Sequence, residues 1–221
     1  MHGGPNVRYG ISLPASGAST GPRPLVLCLH HAWDQSRPVP RGIGRRLLEE
    51  LFEPGLRDLH AIIVAPDCPG ARWSDPVSGH AVLSLIEQIR ERYAVAADRI
   101  VVAGLSDGAT AAWLLLAQHP ELFSAAVPVA GSPQLAWVDD RHAGPVYAIH
   151  SRADVVMPLA PTRAAIGMLR AHGVPAELVV LEDAAHMDIG RFVDPLRAAV
   201  PRLQELWTTG RFTAASARES S

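Results

Sequence analysis

A serine flanked by glycines, Gly104-Leu105-Ser106-Asp107-Gly108, stands where a short β-branched run, Arg99-Ile-Val-Val-Ala103, meets an apolar helical run from Ala109 to Gln118. A chain passes from strand to helix in so few residues only through a tight, strained turn. The positions two before and two after the serine must be small there, because strand and helix pass closely. Such a turn lifts the hydroxyl above the sheet edge. It also sets Ser106 at a helix N-terminus, where the backbone amide of Asp107 points at any developing oxyanion. The spacing therefore predicts an exposed nucleophile at Ser106. The alternative is an ordinary strand-to-helix turn without chemistry.

Strand-like and helix-like runs alternate along the rest of the 221 residues. Strands are expected over 8–13, 25–29, 61–65, 100–103, 125–129, 146–149 and 177–181. Helices are expected over 42–51, 79–93, 106–119, 161–172 and 190–208. This alternation is the pattern of an α/β fold, a mostly parallel central sheet with helices on both faces. One domain is expected over 1–208, followed by a polar, flexible tail over 209–221. The stretch 14–24, rich in Gly, Pro, Ser and Ala, reads as a loop. About fifteen residues separate the strand ending near Ala130 from the one starting near Pro145, too few for a cap domain over the site.

Composition narrows the function classes. Hydrophobic residues make up 48% of the chain and the formal net charge is −2. No basic face suggests nucleic acid, and no polybasic run suggests a membrane surface. All 20 basic residues are arginine, which excludes a Schiff-base, pyridoxal-phosphate or P-loop lysine. Cys28 in mid-strand and Cys68 beyond an apolar run read as small buried residues rather than as a metal pair or a disulfide. No run of apolar residues is long enough to span a membrane. No signal peptide is visible, so a cytoplasmic location is expected; a chain already trimmed of its leader is the alternative.

A serine nucleophile needs a base, and the base needs an orienting acid. At a turn of this kind the acid and then the histidine follow along the chain, each after a strand. Asp154 follows the strand starting at Val146, and His186 follows the strand starting at Glu177. Ser106, His186 and Asp154 are thus read as nucleophile, general base and tautomer-fixing acid. Asp183 and Asp188, on the loop of His186 itself, compete with Asp154 for the acid role. Of the other histidines, His119, His142 and His172 read as solvated, and His150 as reaching only the site's edge. The second oxyanion donor is expected from His30-His31-Ala32-Trp33: the amide of Ala32 first, that of Trp33 second. His31, Trp33 and Trp73 are expected to line the substrate pocket; for the two tryptophans the competing reading is ordinary packing.

Four segments carry a family resemblance: Pro24-Leu-Val-Leu-Cys-Leu-His30; Ile63-Val-Ala-Pro-Asp-Cys-Pro-Gly70 with Trp73; Asp98 to Gly108; and His119-Pro-Glu-Leu-Phe-Ser-Ala-Ala-Val-Pro-Val-Ala-Gly131. They resemble the capless α/β-hydrolase esterases, among them the phospholipase/carboxylesterase branch, the dienelactone hydrolases and the feruloyl-esterase and polyhydroxybutyrate-depolymerase group. The resemblance runs from about Arg8 to Trp207. It implies the α/β-hydrolase fold, a nucleophile at Ser106, an acid at Asp154, a histidine at His186 and an oxyanion pair at Ala32 and Asp107. Two positions depart from the pattern. His31 stands where these relatives carry glycine in the oxyanion loop, and Ala109 stands where many carry a further glycine. The expected function is a serine esterase that cleaves small-molecule carboxylic esters through an acyl-enzyme, with no cofactor and no metal. A thioesterase, lactonase or small peptidase with the same triad is the nearest alternative. A non-catalytic binding protein that keeps the fold but has a crippled oxyanion hole is the other.

Overall fold

The structure is a computed structural model and describes residues 7–14, 21–33, 40–138 and 144–212. Seven strands form one sheet: β1 (Tyr9–Ser12), β2 (Arg23–Leu29), β3 (Ile62–Pro66), β4 (Val95–Leu105), β5 (Ala125–Val129), β6 (Val146–Ser151) and β7 (Ala176–Leu181). Their order across the sheet is β1-β3-β2-β4-β5-β6-β7. Only β1 runs antiparallel, pairing with β3. The other strands are parallel, so their carboxyl ends share one edge.

Alternate residues of each strand feed opposite cores. Leu25, Leu27, Ile100 and Val102 face one, where α3 (Pro76–Arg92), α4 (Asp107–Gln118) and α5 (Leu159–Ala171) pack. Val26, Cys28, Val101 and Ala103 face the other, where α1 (Ile43–Leu47), α2 (Glu53–Leu56) and α6 (Val193–Thr209) pack. The continuous apolar runs of the central strands follow from burial on both sides. Both cysteines are free and buried. No helix among the described residues is long and apolar enough to cross a membrane.

The fold matches the expected class, and the differences lie at element ends. The first expected helix, 42–51, is broken into α1, a π turn at Leu48–Phe52, and α2. Pro54 explains the break: it has no N–H to return to the carbonyl of Glu50, so the hydrogen-bond register slips just before it. Helix α3 starts at Pro76 rather than at 79. Proline is suited to this first position, and the carbonyl of Asp75 accepts from the amides of Ser78 and Gly79. Strand β4 begins five residues early, at Val95, through an irregular pairing with Arg23. Residues 15–20 of the expected loop and 213–221 of the expected tail lie outside the described residues; Thr209 itself closes α6.

Candidate active site

Four loops at the carboxyl edge of the sheet, following β2, β4, β6 and β7, bring the expected residues together. Ser106 sits between β4 and α4 with φ 59° and ψ −116°. This is strained for a residue with a side chain. Its amide donates to the carbonyl of Val129 at 3.0 Å, which ties the turn to β5. The neighbouring glycines are needed for close approach. A β-carbon on Gly104 would strike the Gly108 carbonyl. One on Gly108 would strike the carbonyl of Leu29 and come within 2.6 Å of that of His30. The end of β2 and the start of the loop after it are thus packed directly on the serine turn.

Ser106 Oγ lies 2.8 Å from His186 Nε2, and His186 Nδ1 lies 2.7 Å from Asp154 Oδ2. A carboxylate only accepts, so Nδ1 carries the proton and the Nε2 lone pair faces the serine hydroxyl. The other oxygen, Asp154 Oδ1, accepts from the amides of Val156 at 2.9 Å and Met157 at 2.8 Å. Burial pushes the Asp154 carboxyl up. The hydrogen bonds from His186, Met157 and Val156 outweigh it and hold the group below its ordinary value. All three side chains are buried. The rival acids point away: Asp183 is exposed and pairs with Arg191, and Asp188 is exposed.

The loop after β2, where the second oxyanion donor is expected, departs from the glycine pattern without strain. His31 does not adopt a positive φ; among the described non-glycine residues only His60, Ser106 and Ala130 do. The backbone therefore does not need glycine's freedom at this position. His30 holds the loop instead. Its Nδ1 lies 2.6 Å from the His31 carbonyl, and its Nε2 accepts from the Cys68 amide at 3.0 Å. Those two partners fix a neutral ring with the proton on Nδ1. Burial lowers the His30 pKa to about 4, against the opposing pull of the His31 carbonyl. Trp73 donates its indole N–H to the His30 carbonyl at 2.8 Å.

His31, Ala32 and Trp33 line a cavity of about 360 Å³, together with Ile43, Met187 and Ile189. Trp73 is not on that wall. It is 3% exposed and braces the loop from behind, which is the packing reading weighed for it above. His31 Nδ1 is buried with no hydrogen-bond partner among the described residues. Asp107 opens α4, so its amide has no helical carbonyl four residues back. A wider cavity of about 800 Å³ opens at the β7 edge, against Tyr147, Arg202 and Phe212, and contains none of these residues. No group of three or more His, Cys, Asp or Glu able to hold a metal exists among the described residues. His142 lies outside them. Sequence reasoning missed His30 and misjudged His150, which is fully buried four residues before Asp154. A polar residue at the buried end of an apolar strand was the available signal for both.

Sheet order, strained turn and the hydrogen-bonded serine, histidine and aspartate define an α/β-hydrolase with serine at its elbow. Residues 60–192 match the dienelactone hydrolase family, and the chain belongs to that family. Among solved structures it is similar to a thermostable esterase, with 23% identity and a TM-score of 0.69 over 90% of this chain; it spans 56% of that esterase's length. Esterase PE8 is similar at 18% identity and TM-score 0.69, covering 90% of this chain and 98% of that one. Est1E from Butyrivibrio proteoclasticus follows at 14% identity and TM-score 0.70, covering 91% and 94%. No curated protein sequence matches the chain.

Proposed function

We propose that this hydrolase cleaves carboxylic esters of small molecules through an acyl-enzyme on Ser106. The observation that carries the reading is the unbroken line of short hydrogen bonds from Ser106 Oγ through His186 to Asp154. As Oγ attacks the acyl carbon, its proton passes to His186 Nε2 and the carbonyl electrons move onto oxygen. The amides of Ala32 and Asp107 receive that oxyanion, each contributing on the order of 3 kcal/mol to the transition state. When the intermediate collapses, the alkoxide leaves with the proton from Nε2. Water then repeats the sequence on the acyl-enzyme and frees the acid. Asp154 stays ionised throughout and stabilises the imidazolium. The cavity beside His31 and Trp33 joins apolar walls at Ile43, Met187 and Ile189 to the charged Arg41, Arg46 and Glu50, which suits the acyl or alcohol group of an ester.

The family match supports a second reading, hydrolysis of a lactone, in which the same attack opens an internal ester and the leaving group stays attached. A fluorophosphonate probe tests the nucleophile. Wild type should be labelled and Ser106→Ala should not; a folded wild type that resists labelling sinks the proposal. A series of p-nitrophenyl esters of rising chain length, with lactone and thioester controls, then ranks the substrates.

A further inference from the structure

His150 is buried completely and takes no part in the proton transfers above. Its Nε2 lies 2.8 Å from the Met157 carbonyl. A carbonyl only accepts, so Nε2 carries a proton. Its Nδ1 lies 3.1 Å from Thr162 Oγ1 on α5, and the single proton of that hydroxyl is shared between Nδ1 and the Gly131 carbonyl beyond β5, also 3.1 Å away. The ring is thereby fixed between two elements and the turn that follows Asp154. Met157 is gripped from both sides: its carbonyl by His150, and its amide by Asp154 Oδ1. Val155 and Val156 are 92% and 64% exposed, so packing gives the turn little support. Its other polar contacts include the Val156 amide to Asp154 Oδ1 at 2.9 Å, the Asp154 amide to the Ser151 carbonyl at 3.4 Å and a 3.9 Å approach of Thr110 Oγ1 to the Met157 sulfur.

We infer that His150 is the positioning residue of the acid: by holding the Met157 carbonyl it fixes the amides that bind Asp154 Oδ1, and so keeps Oδ2 aimed at His186. The inference rests on the proposed roles of Ser106, His186 and Asp154. The charged groups facing the ring are Asp154, with Oδ2 3.7 Å from Nε2, and His186. Burial keeps the ring neutral by lowering its pKa, against the Met157 carbonyl and Asp154, which raise it. A neutral ring leaves the carboxylate's charge to His186. The carboxylate acts on the positive charge that proton transfer from Ser106 places on His186, so a misaimed carboxylate weakens the transition state and leaves substrate binding alone.

Two amide replacements separate the functions of the ring nitrogens. Gln places its side-chain amide where Nε2 sits and keeps the donor to Met157; Asn places it where Nδ1 sits and loses that donor. His150→Gln should stay within about threefold of wild-type kcat, while His150→Asn falls about ten- to a hundredfold with KM little changed, the scale of a misplacement near 1 Å. Equal kcat in the two variants overturns the inference, whether both keep activity or both lose it alongside melting temperature. One measurement needs no variant. Nitrogen-15 NMR of wild type should show His150 protonated at Nε2 and bare at Nδ1 near neutral pH; the reverse tautomer overturns the inference. Fluorophosphonate labelling tells the two failures apart. An unlabelled wild type removes the nucleophile reading, whereas a labelled wild type with the wrong His150 tautomer removes only this one.

Discussion

Acid should loosen this protein through His30, by an amount the structure sets. In the native state the ring donates at Nδ1 to the His31 carbonyl and accepts at Nε2 from the Cys68 amide. Burial disfavours a second proton on the ring and outweighs the His31 carbonyl, which favours it, so the native pKa falls from 6.5 to about 4. The unfolded chain has no such constraint and binds that proton near its ordinary pKa. Above 6.5 neither state binds it and the contribution is complete. As pH falls from 6.5 toward 4 only the unfolded state gains the proton, so stability declines, by roughly 3 kcal/mol over the window. Below 4 the loss levels off. His30→Asn supplies the control. Its amide replaces the Nδ1 donor but strands the Cys68 N–H, costing about 1–3 kcal/mol at pH 7. It carries no titrating group at this site, so its disadvantage should shrink as pH falls. Urea unfolding of both proteins at half-unit steps from pH 7.5 to 4.5 measures the difference, to which other groups contribute nearly equally. Parallel stability curves would show that the native ring titrates freely and would refute the argument.

Three further outcomes are expected. Asp154→Asn should lower kcat by about 10³- to 10⁴-fold. Its Oδ1 still accepts from Val156 and Met157, so melting temperature should change little; an active variant would return the acid role to Asp183 or Asp188. Gly108→Ala should cost about 1–3 kcal/mol in thermal unfolding, since its new methyl meets the backbone of Leu29 and His30 rather than a yielding side chain. A wild-type melting temperature would contradict that packing. His31→Gly should not raise ester turnover, because residue 31 already lies outside the left-handed region. A gain of several-fold would show that the histidine obstructs the oxyanion site.

Much of this arrangement is legible before any coordinates exist. Ser106, Asp154 and His186 each follow a run readable as a strand, and parallel strands deliver their carboxyl ends to one edge whatever the intervening sequence. The unreadable parts share a physical cause. The partners of His30 are the carbonyl next door and an amide 38 residues away, at Cys68. Those of His150 include a backbone carbonyl and a hydroxyl on the next helix. Backbone atoms leave no mark in the choice of residue, so a single histidine in an apolar run offers neither period nor spacing. Trp73 shows the same limit, since a large ring near a glycine-containing loop reads alike whether it walls a cavity or braces one. The slipped register before Pro54 was in principle visible, because proline withdraws a specific donor from a specific carbonyl.

The sheet order itself acts as a gauge for the chemistry. Strand β5 lies between β4, which ends at Ser106, and β6, which precedes Asp154. Neighbouring strands run about 4.8 Å apart, so hydroxyl and carboxylate arise from strands nearly 10 Å apart. That interval is too wide for a direct hydrogen bond between them. It admits one flat ring with a nitrogen on each side, delivered by the loop after β7. A strand that contributes no side chain to this line thus keeps the elements carrying Ser106 and Asp154 apart, and His186 spans the interval with one ring nitrogen on each.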